Sequence, residues 1–147
     1  MPGSPVDENV ISGLIIGTAI EGYKHLGPGL LAAIYRDGLT DELKQRGVKV
    51  EKEVTLPVMD KGMEFPVAYR ADLIVEGLVL VELKAVDMFS PFHTAQVLTY
   101  LRLSGLRLGL LINFNVPLLA DGVKRVVNKL WIRCVLCDSA ASIHICS

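Results

Sequence analysis

The chain carries no excess of basic charge: 15 Lys and Arg stand against 16 Asp and Glu over 147 residues, a formal net charge of −1. That argues against tight, sequence-independent coating of DNA, which depends on a positive surface. It does not exclude an enzyme acting on nucleic acid through local charge and a bound ion. Long apolar runs are missing too. No run of 18 or more residues is free of charge, and the most apolar window, residues 108–119, is broken by Asn113, Asn115 and Pro117. A membrane-spanning helix is therefore not expected. The first residues lack a basic start and an apolar signal core, which predicts a cytoplasmic protein. There is no internal repeat and no low-complexity segment. Cysteine is scarce: all three lie in residues 129–147, together with the only Trp.

What the chain does have is apolar content, at 51%. Over this length that suits one compact domain with a substantial core. From Asp7, apolar residues recur at steps of three and four (Val10, Ile11, Leu14, Ile15, Ala19, Tyr23, Leu26), predicting a helix that Gly27-Pro28-Gly29 stops. A second helix is predicted over residues 30–46. The period then shortens to two. Val48, Val50, Val54, Leu56 and Val58 mark a half-buried strand over residues 48–58, and Asp60-Lys61-Gly62 a turn. A strand over 65–75 follows, then one over 78–86 that is apolar on both faces and so reads as central. Ser90-Pro91 opens a helix ending at Gly105. Strands are predicted over 107–113 and 124–127. Short turns predict an antiparallel meander, and the helical crossover predicts a parallel addition to it. The fold class is α/β with a mixed central sheet.

Three residues on two of these strands point to chemistry. Glu82 and Lys84 are two apart, so they share one face of the central strand. The turn at Glu76-Gly77 folds that strand back on the previous one, which brings Asp72 towards Glu82. Charges in the run Leu-Val-Leu-Val-Glu-Leu-Lys-Ala-Val are costly to bury unless paired or bound to a metal. A divalent-metal site is expected. The competing reading makes Glu82 and Lys84 an ion pair on a solvated face, with Asp72 an exposed strand residue.

An acidic strand residue, a turn, Glu-x-Lys on a central strand and then a helix resemble the PD-(D/E)XK nuclease superfamily, and within it the small GxxExxY family. The likeness covers about residues 11–128. Its strings are Ile16-Gly17-Thr18-Ala19-Ile20-Glu21, Leu26-Gly27-Pro28-Gly29-Leu30-Leu31, Tyr69-Arg70-Ala71-Asp72-Leu73 and Glu82-Leu83-Lys84-Ala85, followed by His93 to Leu101 and Gly109 to Phe114. The resemblance implies an αβββαβ restriction-endonuclease-like core flanked by helices, in one domain over residues 1–128. It implies a hydrolase cutting phosphodiester bonds with magnesium, manganese serving as well, and a nucleic-acid partner, DNA being expected. Asp72, Glu82 and the Leu83 carbonyl would hold the ion, and Lys84 would orient the attacking water or stabilise developing charge. Gln96 and Tyr100 match a Gln-x-x-x-Tyr element of the RecB-like branch that would position metal water or substrate phosphate; the structural alternative is a core aromatic and a helix-surface amide. His93 lies nearby on the same helix, either as an accessory group or as a cap of its first turn. A homodimer is compatible with so small a domain.

One departure stands out. Gly-x-x-Glu-x-x-Tyr reads here as Gly29-Leu30-Leu31-Ala32-Ala33-Ile34-Tyr35, so the helix acid is Ala32. Three consequences are open: a weaker site resting on Asp72 and Glu82, a substitute acid such as Glu21, or a domain that has lost chemistry and kept a binding role. The extension over residues 129–147 holds Cys134, Cys137, His144 and Cys146. Its His-x-Cys half leaves little room to close a tetrahedron, so zinc is not assigned there. A disulfide is not expected in a reducing cytosol.

Overall fold

The computed structural model describes residues 7–129; Cys134, Cys137, His144 and Cys146 of the extension lie outside the described residues. Helix α1 (Glu8–Leu26) starts where the Asp7 side chain accepts a hydrogen bond from the Val10 N–H at 2.9 Å. Such a cap satisfies one of the orphan donors of the first turn. After the Gly27-Pro28-Gly29 turn comes α2 (Ala32–Gln45). Tyr35, the tyrosine of the motif, holds that turn: its hydroxyl donates to the Gly27 carbonyl at 2.5 Å and accepts from the Leu30 N–H at 3.2 Å. Its ring stacks on Phe114 with centroids 4.3 Å apart. In this chain the motif tyrosine thus clamps a turn.

Five strands follow the predicted order: β1 (Val50–Asp60), β2 (Met63–Val75), β3 (Val79–Lys84), then helix α3 (Pro91–Ser104), β4 (Leu108–Asn113) and β5 (Val123–Val127), the last entered through a 3-10 turn at Leu119–Gly122. They form one sheet in the order β1-β2-β3-β4-β5. Pairing is antiparallel except between β3 and β4, which are parallel across the α3 crossover. The α/β architecture with a mixed sheet is as expected, and it agrees with the restriction-endonuclease-like arrangement.

Alternation on β3 sorts the sheet into two layers. Val79, Val81 and Leu83 pack with Ile15, Tyr35 and Leu43 under α1 and α2. Leu80 packs with Val97, Tyr100 and Leu101 under α3. Glu82, two residues on from Leu80, therefore belongs to the α3 side. Both faces of β3 and β4 are covered, which explains their near-continuous apolar sequence.

Several boundaries differ from the sequence reading, each for a local reason. β3 stops at Lys84, not at residue 86, because the Asn113 side chain takes over both backbone groups of Val86: its Nδ2 donates to the Val86 carbonyl at 2.8 Å and its Oδ1 accepts from the Val86 N–H at 3.1 Å. α2 starts at Ala32, after Leu31 in an extended conformation. β1 and β2 run further towards their turn than expected, as a ribbon that outreaches β3.

The seat of α3 on β4 depends on Gly109. A Cβ there would meet Val97 Cγ1 at 2.7 Å and Leu101 Cδ1 at 3.4 Å. Gly109→Ala is expected to cost about 1–3 kcal/mol, as overpacking in a dense core does. Urea unfolding measures it, and an unchanged midpoint would mean that α3 lifts off β4 freely.

Candidate active site

The β2–β3 ladder ends at Leu73↔Val81, and the next opposed positions are Asp72 and Glu82. There the backbone pairing is replaced by an exchange between side chains and amides. The Asp72 N–H donates to Glu82 Oε1 at 2.8 Å, and the Leu83 N–H donates to Asp72 Oδ2 at 2.8 Å. Each carboxylate thus anchors on the other residue's strand. Within a strand, the N–H and C=O of one residue point to the same edge, so the Leu83 carbonyl is directed into the same opening, beyond the last ladder pair. Lys84 Nζ stands 3.8 Å from Glu82 Oε2. The competing reading of a solvated ion pair does not hold for Glu82, which is 3% exposed.

A second irregularity produces the opening. Glu53, opposite Asp72 on β1, has φ 51 inside the strand, and its pairing is missing between Lys52↔Leu73 and Val54↔Ala71. A non-glycine residue in this left-handed region costs on the order of 1–3 kcal/mol and persists only where its surroundings impose it. Arg36 of α2 supplies part of that hold, donating from Nη1 to Glu53 Oε1 at 3.2 Å, with Arg70 Nη1 3.7 Å away from the same oxygen. On one side of the kink Val50, Leu73 and Val75 face α1 and α2; beyond it Leu56 and Ala71 join the α3 layer. Asp72 sits at the switch. Nothing in an alternating strand sequence announces such a kink, so Glu53 and Arg36 escaped the sequence reading.

Both carboxyls are pushed above the ordinary carboxylate range. For Asp72 the main cause is burial. Glu82 is raised from 4.5 to about 7, first by burial and then by the neighbouring Asp72 charge. Lys84 and Arg36 offset only part of this for Asp72. Two adjacent acids that resist ionising together form a site short of positive charge.

The helix side is equally specific. Gln96 Nε2 donates to the Tyr100 hydroxyl at 3.0 Å, which leaves the phenolic proton free to donate elsewhere. Burial and the Glu82 charge raise the Tyr100 pKa, keeping the phenol protonated. Gln96 Oε1 is buried with no hydrogen-bond partner. His93 is committed elsewhere: its Nδ1 accepts from the Ser90 N–H at 3.0 Å in a capping box that starts α3. Of the two roles expected for it, the cap is the one observed. Glu21 is not brought to the carboxylates; it pairs with Arg46 at 3.3 Å on the exposed side of α1. A cavity of about 300 Å³ between α1 and α2, lined by Tyr23, Tyr35 and Phe114 among others, contains none of these site residues.

Do these residues suit a divalent ion? Asp72, Glu82 and the Leu83 carbonyl are an all-oxygen set of the kind hard cations take, with water completing the shell. The raised carboxyls call for a cation, and the unpartnered Gln96 Oε1 calls for a donor such as the water around one. Among the described residues no cluster of three or more His, Cys, Asp and Glu side chains could hold a metal. The set therefore fits an ion that keeps several waters, and it does not fit a closed protein cage.

The pH dependence of stability follows from Glu82. Its folded pKa lies above 4.5, so its contribution is fully present below that pH and is lost as pH rises through about 7. In chelator, wild type and Glu82→Gln should be similarly stable near pH 4.5. By pH 8 the Gln variant is expected to gain on the order of 2–3 kcal/mol relative to wild type. Denaturant unfolding across the range measures the difference, and parallel curves would refute the burial of an uncompensated pair.

Among known proteins, no curated sequence matches the chain. A solved structure, SSO0001, aligns over 88% of each chain at 16% identity with a TM-score of 0.49, too loose a likeness to carry an argument. None of the helices among the described residues is long and apolar enough to cross a membrane. The family comparison is decisive: a family model for the PD-(D/E)XK nuclease superfamily matches residues 9–126, from the second residue of α1 to the penultimate residue of β5. It takes in both strands of the opened hairpin and the helix that covers them, and on that match the chain belongs to the PD-(D/E)XK nuclease superfamily.

Proposed function

We propose that the protein is a divalent-metal-dependent nuclease that hydrolyses phosphodiester bonds, with DNA as the substrate. The observation that carries this reading is the exchange of carboxylates and amides between Asp72 and the Glu82-Leu83 pair, with Lys84 beside it. Asp72, Glu82 and the Leu83 carbonyl would hold magnesium, with manganese able to replace it. When bound, the ion supplies the positive charge that makes a water more acidic and neutralises phosphate oxygens.

The chain's own groups then have separate tasks. Asp72 and Glu82 are held by main-chain amides, so their oxygens are set before any substrate arrives. Lys84, about a quarter exposed, reaches from Glu82 towards solvent and orients the attacking water or stabilises charge on the phosphoryl oxygens. In the reaction the water oxygen bonds to phosphorus as the bond to the leaving nucleotide oxygen breaks. The Tyr100 hydroxyl, kept protonated and fixed by Gln96, donates to a phosphate oxygen.

A second reading is a domain that keeps this scaffold for binding alone. Ala32 favours it, because the first residue of α2 has no acid to offer. One turn further along α2, Arg36 puts a positive charge near Asp72, opposite in sign to a helix acid.

Cleavage of labelled single- and double-stranded DNA in magnesium or manganese separates the two. For a working nuclease, Lys84→Ala should lower the rate about 10²–10³-fold, as loss of one preorganised charge does. Ala32→Glu should raise it, since it supplies the helix acid that the resemblance to Gly-x-x-Glu-x-x-Tyr implies for the site. Activity appearing only in Ala32→Glu would mean that the scaffold survives while its chemistry has been lost, as the binding reading requires. No cleavage by any of the three would remove the nuclease reading for DNA.

A further inference from the structure

Beside the carboxylates lies a pocket that the chemistry above does not use. It holds about 180 Å³ and is lined by Tyr69, Phe92, Ala95, Gln96, Thr99 and Tyr100. Its walls come from separate elements. Tyr69 is on β2, three residues before Asp72, and is 46% exposed; Phe92 is in the first turn of α3 and is 75% exposed. Tyr69 and Tyr100 approach with centroids 5.6 Å apart. Ala95 and Thr99, both small, complete the lining.

We propose that this pocket takes one unpaired nucleobase next to the scissile phosphate, so that the preferred substrate is single-stranded or locally unpaired. The inference rests on the nuclease reading and names its substrate class. Continuity selects the occupant. Gln96 and Tyr100 line both this pocket and the proposed phosphate site, so whatever enters must be joined to the phosphate. A base is such a group, and its flat π face suits a slot edged by aromatic rings. The volume favours a single ring system, since pockets for larger ligands run to about 300–1,000 Å³. A base held in a duplex is stacked and paired on both sides, and would have to leave the helix to enter.

The test uses a short single-stranded oligonucleotide carrying 2-aminopurine, titrated into the full chain without added divalent metal and with Lys84→Ala present to slow cutting. Fluorescence reports stacking and anisotropy reports binding, for Lys84→Ala alone and combined with Phe92→Ala, Tyr69→Ala or Phe92→Trp. The expected result is a change in 2-aminopurine fluorescence on binding, tighter binding of single strand than of duplex, and about a tenfold loss of affinity for each ring removed. Phe92→Trp should retain it. Affinity and fluorescence unmoved by both alanine variants, or equal binding of duplex, would overturn the pocket. The two readings fail separately: a wild-type protein that stacks the base and cuts nothing keeps the pocket and loses the nuclease, and one that cuts with Phe92 and Tyr69 dispensable does the reverse.

Discussion

The site depends on one constraint: the β2–β3 ladder stops one residue pair too early for Asp72 and Glu82 to bond as strand partners. Amides freed by that opening must find acceptors, because an unsatisfied buried N–H costs about 1–3 kcal/mol. The two carboxylates supply them, each to the other residue's strand. Their oxygens are thereby fixed in a buried place where neither acid ionises readily. Structure and electrostatic demand come from the same few bonds. Hydrogen bonding holds the pair together, and burial leaves it in need of positive charge.

The surrounding elements maintain the opening. The Glu53 kink turns β1 and β2 away, and Arg36 and Arg70 tie down its strained residue. Gly109 lets α3 lie close on β4, which sets Gln96 and Tyr100 on the carboxylate side. Tyr35 clamps the turn before α2, the helix from which Arg36 reaches over. Arg36 of α2 brings a cation near Asp72, and it is itself paired with Asp37 on the same helix and with Glu53 on β1.

Most of the fold was legible because its signals are local. Period 3.6 marked α1 and α2, period 2 marked β1, and the two-sided apolar run marked β3 as central; all are elements the structure contains. Glu82 and Lys84 stood out because lone charges in such a run need an explanation, and the Glu76-Gly77 turn brought Asp72 to them. Where sequence reasoning fell short, the cause was tertiary. The end of β3 is set by Asn113, nearly thirty residues on from the chain segment it binds, as the Val86 bonds show. The kink at Glu53 depends on an arginine from another element. His93 offered two readings that only the Ser90 bond distinguishes, and Glu21 needed Arg46 to show where it points. The aromatic pocket joins β2 to α3, so no single motif contained it.

The central claim is that Asp72 and Glu82 together hold one divalent ion. Manganese titration followed by electron paramagnetic resonance tests it without needing a substrate. The expected result is one ion bound by the wild type, with binding lost in Asp72→Asn and in Glu82→Gln while both variants stay folded. Equal manganese binding by all three proteins, or none by the wild type, would contradict it.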